Sequence, residues 1–555
     1  MRNLFCSILI TGFISIGVFA QPELDTTFNS TGKVIINIAG KSGAWKVAVQ
    51  PDNKIVMVSG CHNNQGKFPF CAVRLNQDGS VDTAFGNFGQ PDNFGPPGSV
   101  ITKFGPSAAQ DGQATGIAIQ SDGKIVIVGS ASDTPYNNYT AMVRLNGDGT
   151  LDTTFGTGGK LLANITGAQN AETVRAVAVQ PDGKIVITGD SMRIIPWPNL
   201  DNIWSQFVAR YLPNGTLDSS FGVAGIVKTN TGSTSASGQS LAIQPDGKIL
   251  VGGNLWVNTP GGTPYRAYYV ARLNSDGSGD QNWSTPQIPY SADDIGPADG
   301  IRSVAVAPDG RVVALGFATS RLLKFMPNGS PDTGFDSDGA RSVFIVDEKA
   351  YDLAVSADGR ITVVGMSRRG ASWITIFPYL IQRLMPNGSD DGTFGAGGRL
   401  SIHFSQATLD GARAIAFDPS GRPVIAGLAA DAANQYPWDN AVFSAVRLTA
   451  PAITPAASTI TGRVMTAEGL AVSGVTMRMA DSSGATRLAR TNPFGYYQFS
   501  GVMSGQLYSI SVKSRAVAVS ERALFLTGDV LNFDFTGAPQ ISSRSALKGD
   551  MVGFK

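Results

Sequence analysis

Short apolar runs separated by glycine- and asparagine-rich turns dominate residues 22–449, and they recur in two alternating motifs. The first motif is a hairpin, in which apolar runs ending at Val49 and beginning at Ile55 flank the turn Gln50-Pro51-Asp52-Asn53. Asx-Gly and similar pairs accept the positive φ of tight hairpin turns, and β-branched residues favour the flanking strands. Seven copies of the hairpin occur, at residues 47–56, 117–126, 177–186, 241–250, 304–313, 353–362 and 415–424.

The second motif is a strand followed by an Asx-Gly turn and an Asp-x-x-aromatic signature. In the first repeat, the strand around Arg74 leads through Asp78-Gly79 to Asp82 and Phe85. The signature returns as Asp152/Phe155, Asp218/Phe221, Asp280/Trp283, Asp332/Phe335 and Asp391/Phe394. Each repeat of about 60 residues therefore contains about four short strands, which is the content of one β-propeller blade.

The two ends of the repeat region are out of phase by half a repeat. After the seventh hairpin, Val446-Arg447-Leu448 is followed by Thr449-Ala450-Pro451 in place of the expected turn and signature. The missing half stands near the N-terminus, where Asp25 and Phe28 have the signature spacing. An N-terminal strand that completes the last blade leaves no unpaired sheet edge, so the sequence predicts a closed ring of seven blades. An open array and two smaller propellers are the alternatives.

The repeats resemble the delta-60 repeat family of exported bacterial proteins. The resemblance rests on Gln-Pro-Asp-Gly-Lys-Ile-Val at residues 180–186 and Leu-Asp-Thr-Thr-Phe-Gly at residues 151–156, and it covers residues 22–449. It implies a propeller-like fold. It implies almost nothing about activity, because propellers host many unrelated functions.

Residues 450–458 form a linker rich in proline and alanine, and short alternating strands resume beyond it. They predict a small β-sandwich over residues 459–536, followed by a polar tail at 537–555. The segment resembles the carboxypeptidase regulatory-like domain, a transthyretin-type sandwich, although Asn492 stands where that family usually has Asp. The resemblance implies an accessory module without peptidase chemistry. The predicted fold is thus all-β: a seven-bladed β-propeller followed by a small β-sandwich.

Residues 1–20 have the pattern of a cleaved secretory signal peptide. Arg2 precedes an apolar run from Leu4 to Phe19, and a small-x-small pattern ends at Ala20. This run is shorter than a membrane span requires, so we expect a bacterial protein that is secreted or held in the cell envelope without a membrane span. The charge balance of 43 Lys and Arg against 42 Asp and Glu predicts no nucleic-acid partner.

The sequence predicts no catalytic constellation, no metal site and no cofactor. The two histidines, His62 and His403, lie in different repeats and do not have the spacing of a zinc site with the cysteines. The Asp-x-x-aromatic segments resemble fragments of a calcium loop. A residue that recurs in every blade is better explained by a recurring structural need, so we expect each aspartate to cap its turn and each ring to be buried between blades.

Cys61 and Cys71 bracket a short loop between two predicted antiparallel strands. Adjacent strands bring the two side chains together, and the exported compartment can be oxidising, so we predict a disulfide. Two free buried thiols are the alternative. Cys6 would leave with the signal peptide.

Strand direction predicts that the two faces of the propeller differ. If neighbouring strands are antiparallel, both Asx-Gly turns of each blade lie on one face and the longer connections on the other. Loops on a rigid scaffold commonly carry binding sites, and exposed aromatic residues favour sugar or protein ligands. The alternative for each ring is that it packs beneath its own loop. The aromatic residues on the long connections are Tyr136, Tyr139, Trp197, Trp204, Trp256, Tyr265, Tyr268, Trp373, Tyr379, Tyr436 and Trp438.

Three functional hypotheses follow from this reading. The first is a non-catalytic binding or cell-surface scaffold that takes a protein or carbohydrate ligand on the aromatic loop face. The second is a carbohydrate-active hydrolase or lyase, for which glycoside hydrolysis needs two carboxyl groups at a defined separation. The third is a purely structural envelope component. Candidate carboxylates for the second, with no repeated pairing among them, are Asp133, Asp190, Asp201, Asp431 and Asp439.

Overall fold

The computed structural model describes residues 24–37, 43–61, 69–86, 95–104, 112–134, 137–167, 171–194, 202–229, 235–257, 265–284, 287–290, 300–317, 320–344, 348–367, 378–404, 408–431, 441–450, 457–481, 485–503, 506–513, 517–518, 522–526, 530 and 533–539. Every regular element in these ranges is a β-strand, which confirms the all-β prediction. The predicted signal peptide lies outside the described residues, as do most of the predicted linker and tail.

Seven four-stranded antiparallel units follow one another between residues 24 and 448, and we call them blades 1–7. Blades 1–3 consist of β2 (Lys46–Val49), β3 (Ile55–Gly60), β4 (Phe70–Leu75) and β5 (Ser99–Thr102); β6 (Gly112–Ile119), β7 (Ile125–Thr134), β8 (Asn137–Leu145) and β9 (Lys160–Ala163); and β10 (Ala171–Val179), β11 (Ile185–Ile194), β12 (Asn202–Tyr211) and β13 (Ile226–Thr229). One parallel pair, Ala171 with Asn138, joins blades 2 and 3 into an eight-stranded sheet.

The remaining four blades have the same order of strands. They consist of β14 (Ala236–Ile243), β15 (Ile249–Val257), β16 (Tyr265–Leu273) and β17 (Gln287–Tyr290); β18 (Ile301–Val306), β19 (Val312–Gly316), β20 (Arg321–Phe325) and β21 (Ala340–Ser342); β22 (Glu348–Val355), β23 (Ile361–Ser367), β24 (Tyr379–Leu384) and β25 (Arg399–Ile402); and β26 (Thr408–Phe417), β27 (Pro423–Asp431), β28 (Val442–Arg447) and β1 (Lys33–Ile36).

The N-terminal strand completes the last blade. β1 pairs antiparallel with β28, with Lys33 opposite Val446 and Ile36 opposite Phe443. The first strand of each blade contacts the first strand of the next, and β26 contacts β2 in the same way. The seven first strands therefore surround a central channel, and the sheets form a β-propeller.

Both faces of each blade are covered by its neighbours. The middle strands β3 and β4 are buried at every position, and the core cluster between blades 1 and 2 combines Val58 and Phe70 with Ile127 and Val143. Burial on both faces explains why these strands are continuous apolar runs and do not alternate between apolar and polar residues. Burial of apolar surface is the main force that holds the blades together.

One cluster of polar and aromatic side chains recurs at each junction between blades. In blade 1, Asp82 accepts a hydrogen bond from the Ala84 N–H at 3.2 Å and ion-pairs with Arg74 and Lys54, each at 2.8 Å. The Arg74 guanidinium lies 4.4 Å from the centre of the buried Phe85 ring. The aspartate thus caps its own turn and the ring is buried, which confirms the structural interpretation of this signature.

We call each such cation, aspartate and aromatic set an interblade cluster. The seven clusters are Arg74/Asp82/Phe85, Arg144/Asp152/Phe155, Arg210/Asp218/Phe221, Arg272/Asp280/Trp283, Lys324/Asp332/Phe335, Arg383/Asp391/Phe394 and Arg447/Asp25/Phe28. In six of the seven clusters the cation also donates to a turn carbonyl of the following blade, as Arg144 does to Pro213 and Arg272 to Pro327. Arg447 of blade 7 donates to Gln77 of blade 1 in the same way, so the contact continues across the junction between the chain ends.

Residues 457–539 form eight further strands: β29 (Ala457–Thr466), β30 (Thr476–Asp481), β31 (Thr486–Arg490), β32 (Tyr496–Met503), β33 (Gln506–Lys513), β34 (Val517–Ala518), β35 (Arg522–Leu526) and β36 (Phe535–Pro539). They form two four-stranded sheets, ordered β32-β29-β36-β34 and β31-β30-β33-β35. Their shared core contains Val464, Met477, Tyr497, Ile510 and Phe535. β29 begins two residues inside the predicted linker, and β36 continues three residues into the predicted tail, where it pairs with β34.

No helix in the described ranges is long and apolar enough to cross a membrane.

Candidate functional site

The two faces of the propeller differ, because consecutive strands of a blade are antiparallel neighbours. The hairpin turns and the turns before the interblade clusters lie on one face, which we call the turn face. The connections between second and third strands, and those between blades, lie on the opposite loop face. Each first strand runs from the loop face to the turn face.

The structure contradicts the exposure of two of the predicted loop aromatics. Tyr268 on β16 is 1% exposed and Tyr379 on β24 is fully buried. Tyr268 packs in the core between blades 4 and 5, and the Tyr379 hydroxyl is 2.7 Å from the hydroxyl of Ser444 in blade 7. Both tyrosines stand on third strands, whose two faces are covered by adjacent blades, so neither can line an open face.

The other predicted aromatics lie at the loop face or outside the described residues. Tyr139 and Trp204 lie on β8 and β12 and are partly buried. Trp256 and Tyr265 stand at the loop-face ends of β15 and β16. The positions outside the described part of the chain are Tyr136, Trp197, Trp373, Tyr436 and Trp438.

Among the predicted carboxylates, Asp190 is the one whose side chain falls within the described part of the structure. It is 2% exposed, and it accepts hydrogen bonds from Arg175 at 3.2 Å and from the Ser237 hydroxyl at 2.8 Å. This carboxylate is fixed by polar neighbours. The side chains of Asp133, Asp201, Asp431 and Asp439 lie outside the described residues.

Cys61 and Cys71 are joined by a disulfide in the structure, with their Cα atoms 5.6 Å apart. Both are buried in the core between blades 7 and 1. His403 is partly exposed, with its Nδ1 atom 4.0 Å from Asp410, whereas His62 lies outside the described residues. No cluster of three or more His, Cys, Asp or Glu side chains that could hold a metal ion occurs in the described ranges.

A feature that the sequence reading missed lies on the first strands. In blades 2–7 the pairing of the first strand with the second skips one residue, which is a β-bulge. The skipped residue stands four positions before the last residue of its strand in each case. In blade 1, the Trp45 N–H bonds to the Val58 carbonyl, although Lys46 is the register partner of Val58. We call these seven residues the channel ring: Trp45, Thr115, Arg175, Gln239, Arg302, Tyr351 and Arg413.

A bulge adds one residue to a strand and changes the direction of its side chain. The residues that precede the channel ring, such as Ala114, Val174 and Ala412, are fully buried, whereas every member of the ring is partly exposed or exposed. The first strands surround the channel, so the bulges place seven side chains at equivalent heights around it. Alignment of the seven repeats places these residues two positions before the hairpin motif, but they share no residue type, so the sequence does not mark them as bulges.

Contacts between members confirm that the ring is compact. The Arg413 guanidinium lies 4.2 Å from the Tyr351 ring centre and 4.9 Å from that of Trp45. The Arg302 guanidinium lies 5.4 Å from the Tyr351 ring centre and 4.0 Å from that of Phe317. These side chains come from four consecutive blades and form a continuous row of arginines and aromatic rings.

Arg175 and Gln239 of the channel ring are connected by hydrogen bonds and an ion pair through Asp190 and Ser237. Gln239 donates to the Ser237 hydroxyl at 2.7 Å, and Ser237 and Arg175 both bond to Asp190. Next to the ring, the Lys46 ammonium group of blade 1 pairs with Asp352 of blade 6 at 3.2 Å. This ion pair connects two blades that are not neighbours, because blade 7 lies between them. The site contains arginine, amide, hydroxyl and aromatic groups, which suit binding. The neighbouring Asp190 and Asp352 both serve in ion pairs.

The channel also opens at the turn face, in a cavity of about 550 Å³. Its walls combine apolar side chains such as Ile119 and Phe417 with the turn glutamines. The amides of Gln50 and Gln120 donate to turn carbonyls of the next blade, Gly123 at 3.2 Å and Gly183 at 3.3 Å. Because these amide groups already bond to the next blade, the surface that the cavity offers to a ligand is mainly apolar.

A model of the family described as "Domain of unknown function (DUF5122) beta-propeller" matches residues 50–85, 120–155, 180–221, 244–282 and 307–335. Each matched segment begins five residues after a member of the channel ring. The chain is a β-propeller protein. No protein of curated function matches its sequence.

Several solved structures are similar to the chain. A catalytically inactive virginiamycin B lyase from Staphylococcus aureus, with quinupristin, has 10% identity and a TM-score of 0.40 over 75% of this chain and 98% of that chain. A protein of unknown function from Dyadobacter fermentans has 10% identity and a TM-score of 0.40 over 63% and 97%. A mutant α-L-arabinofuranosidase from Fusarium graminearum, with an iminosugar inhibitor, has 9% identity and a TM-score of 0.36 over 60% and 91%. Similarity at this level says nothing about activity.

Proposed function

We propose that this β-propeller protein is an exported, non-catalytic binding or cell-surface scaffold protein, and that its ligand binds from the loop face at the channel ring. The observation that carries the proposal is the bulge in the first strands. It presents one side chain per blade to the same level of the channel.

The chemistry at this level supports binding. The interblade clusters repeat nearly the same three residues in every blade, as expected for a structural role. The channel ring keeps its backbone geometry but varies its side chains among tryptophan, tyrosine, threonine, glutamine and arginine. A fixed geometry with varied chemistry suits recognition of an asymmetric ligand by a preorganised site.

The hydrolase or lyase alternative finds less support. Asp190 is buried and bonded to Arg175 and Ser237, and Asp352 is paired with Lys46. A glycosidase needs one carboxyl group that releases a proton and a second that acts as base or nucleophile. Asp190 and Asp352 instead hold cations in place.

Export is supported by the pattern of residues 1–20 and by the disulfide between Cys61 and Cys71. The full chain expressed in a bacterial host should appear outside the cytoplasm with Gln21 as its first residue, which N-terminal sequencing checks. Retention of Met1 in a cytoplasmic product would contradict export.

The binding proposal is tested with purified mature protein on arrays of glycans and of envelope proteins. Any ligand found should bind at least about tenfold more weakly to Trp45→Ala and Arg413→Ala, which corresponds to the loss of about 1.4 kcal/mol or more. Phe494→Ala, a change at a side chain that is 68% exposed on the C-terminal unit, is the matched control and should bind normally. If the unaltered protein turns over a ligand and the Asp190→Asn variant does not, the non-catalytic assignment is overturned.

A further inference from the structure

One sheet of the C-terminal unit, residues 457–539, has an outer face on which cations surround an exposed leucine. In β30, Met477 and Met479 are buried in the core of the unit, so Arg478 between them points outward. Leu488 on the edge strand β31 is the register partner of Arg478. Cross-strand partners lie side by side on one face of a sheet, so Leu488 adjoins Arg478 on the outer face.

Two further cations lie on the same face. Arg490 on β31 and Lys513 on β33 are both register partners of Thr476, one from each side. Thr476 stands two residues before Arg478, and residues two apart on a strand point to the same face. We call this set the basic face: Arg478, Leu488, Arg490 and Lys513.

The charges of the basic face are exposed and have no acidic partner in the described part of the chain. All three cations are exposed. The side chains of Arg478 and Lys513 form no hydrogen bond or ion pair within the described ranges, and the Arg490 Nε atom donates to the Gly474 carbonyl at 3.0 Å. The positive potential of this face is therefore available to a partner.

The described acids of the C-terminal unit lie away from the basic face. Glu468 stands in the exposed turn after β29, which belongs to the other sheet, and Asp534 accepts a hydrogen bond from the Arg463 backbone N–H at 2.7 Å. Asp481 is at the far end of β30 and accepts a hydrogen bond from the Ala485 N–H. These acids are outnumbered by the described cations Arg463, Arg478, Arg487, Arg490, Lys513 and Arg522.

Large apolar side chains are exposed beside these cations. Leu488 is 68% exposed, and so is Phe494, which stands in the turn that follows Arg490 at the end of β31. Exposed apolar groups next to exposed cations mark a surface that meets a partner which is both anionic and apolar.

The combination of groups selects the kind of partner. A second copy of the chain is disfavoured, because a two-fold contact would bring the cations of one basic face against those of the other. An anionic polysaccharide would pair with the cations, but a branched aliphatic side chain such as Leu488 has no flat surface for a sugar ring. A membrane with anionic lipids offers head groups to the cations and an acyl region to the apolar side chains.

We propose that the C-terminal unit docks on an anionic lipid membrane through the basic face. Leu488 and Phe494 enter the boundary between head groups and acyl chains, and Arg478, Arg490 and Lys513 pair with the lipid phosphates. This inference goes beyond the proposed function and does not depend on it, because none of these residues belongs to the propeller.

The test measures partition of the mature protein onto unilamellar vesicles by sedimentation. Vesicles with about 30 mol% phosphatidylglycerol in phosphatidylcholine should bind at least about tenfold more strongly than phosphatidylcholine alone, because cations are attracted to anionic head groups. Binding should weaken as NaCl rises from about 0.05 to 0.5 M, since added ions screen this attraction. Arg478→Gln and Arg490→Gln should each weaken binding about fivefold at the lower salt concentration.

The apolar contribution is separated by its response to salt. Leu488→Asn and Phe494→Ser should each weaken binding about fivefold or more at both salt concentrations, because transfer of an apolar side chain out of water is not screened. Val223→Asn, at a side chain that is 83% exposed in a turn of blade 3, is the matched apolar control. Arg341→Gln, on the outermost strand of blade 5, is the charge control. Both controls should bind like the unaltered protein.

Circular dichroism and thermal unfolding establish that the variants are folded, and the comparison of the two kinds of vesicle needs no variant. Equal binding to both kinds, or no binding to either at about 1 mM lipid, would overturn the proposal. Normal vesicle binding by Leu488→Asn and Phe494→Ser would also overturn it, because charge alone would then suffice. If the protein binds polygalacturonate through Arg478 and leaves the anionic vesicles unbound, the basic face serves a polysaccharide and the lipid surface is rejected.

Discussion

The interblade clusters and the channel ring are both seven-fold features, yet they differ in what repeats. In the clusters, a cation, an aspartate and an aromatic ring return at nearly the same places in every blade, and the aspartate and the ring are buried. In the channel ring, the backbone bulge returns but the side chain differs, and it stays accessible. Repeated side chains thus indicate what holds the blades together, and we propose that the varied side chains on a repeated backbone recognise a ligand.

Acid is expected to have the largest effect on stability, because it acts on most clusters at once. Burial raises the pKa of the Asp152 carboxyl, but hydrogen bonds from Thr154 and the nearby Lys124 and Arg144 outweigh it and lower the pKa to about 2. Hydrogen bonds from Ser220 and the charge of Arg210 likewise outweigh burial and bring the pKa of Asp218 to about 2. The pKa values of Asp25, Asp82, Asp280 and Asp391 are also lowered.

A carboxyl group with a lower pKa in the folded than in the unfolded state stabilises the fold above its unfolded pKa of about 3.9. This contribution is lost as the pH falls toward the folded pKa. The free energy of unfolding should therefore fall steeply between about pH 4 and about pH 2, which urea denaturation at pH 7, 4, 3 and 2 measures. Asp152→Asn and Asp218→Asn should be less stable at pH 7 but lose less on acidification. A free energy of unfolding that is constant down to pH 2 would refute this account of the clusters.

Removal of a single cation should have the next largest effect. Arg144 is 4% exposed, its Nε atom bonds to Asp152 at 2.7 Å, and its guanidinium lies 4.8 Å from the centre of the Phe155 ring. Arg144→Ala leaves a buried carboxylate with reduced compensation, so we expect a loss of about 3–5 kcal/mol in the free energy of unfolding.

Arg341→Ala is the control for this measurement, because its ion pair with Asp390 is solvent-accessible. An exposed pair of this kind contributes about 0–1 kcal/mol. Similar losses in the two variants, measured by urea denaturation at pH 7, would show that the clusters do not hold the blades together.

Alanine substitutions at two turn glycines should distinguish the cost of backbone strain from the cost of a clash between blades. Both Gly149 and Gly123 have positive φ, +87° and +82°. A Cβ atom on Gly149 would lie 2.6 Å from the Phe85 ring of the preceding blade, whereas a Cβ atom on Gly123 would contact nothing within 4 Å. Gly123→Ala should therefore lose about 1–2 kcal/mol from backbone strain alone. Gly149→Ala should lose about 1–3 kcal/mol more, from overpacking. Equal shifts of the urea midpoint would contradict the close packing of turn and ring.

Much of the fold could be predicted from the sequence, because its signals are local and repeated. The hairpin turns, the Asp-x-x-aromatic signature and the half-repeat at Asp25 and Phe28 each correspond to a strand pair or a junction in the structure. The partner of the signature was missed: a cation eight residues before each aspartate, as Arg74 is before Asp82. This spacing is visible in six of the seven repeats.

The candidate site was harder to predict, since no motif marks a bulge. Arg302 and Arg413 each stand two residues before the hairpin motif of their repeat, outside the pattern that recurs. Their approach to Tyr351 depends on contacts between blades, which a pattern within one repeat does not contain. The aromatic residues of the loops were conspicuous in the sequence, but Tyr268 and Tyr379 were assigned to the loop face although their strands are covered on both sides.

The smallest effect is expected from a change in the channel ring, and two glutamines allow a matched comparison. Gln120 is 6% exposed and its amide donates to the Gly183 carbonyl of the next blade at 3.3 Å. Gln120→Ala should therefore lose about 1–2 kcal/mol, because a buried hydrogen bond between blades disappears. Gln239 is partly exposed and bonds within its own blade to Ser237, so Gln239→Ala should change the free energy of unfolding by no more than about 0.5 kcal/mol. Urea denaturation of both variants at pH 7 measures the difference. Equal losses would mean that the channel ring holds the blades together as the clusters do, and the distinction between a structural and a recognising set of side chains would then fail.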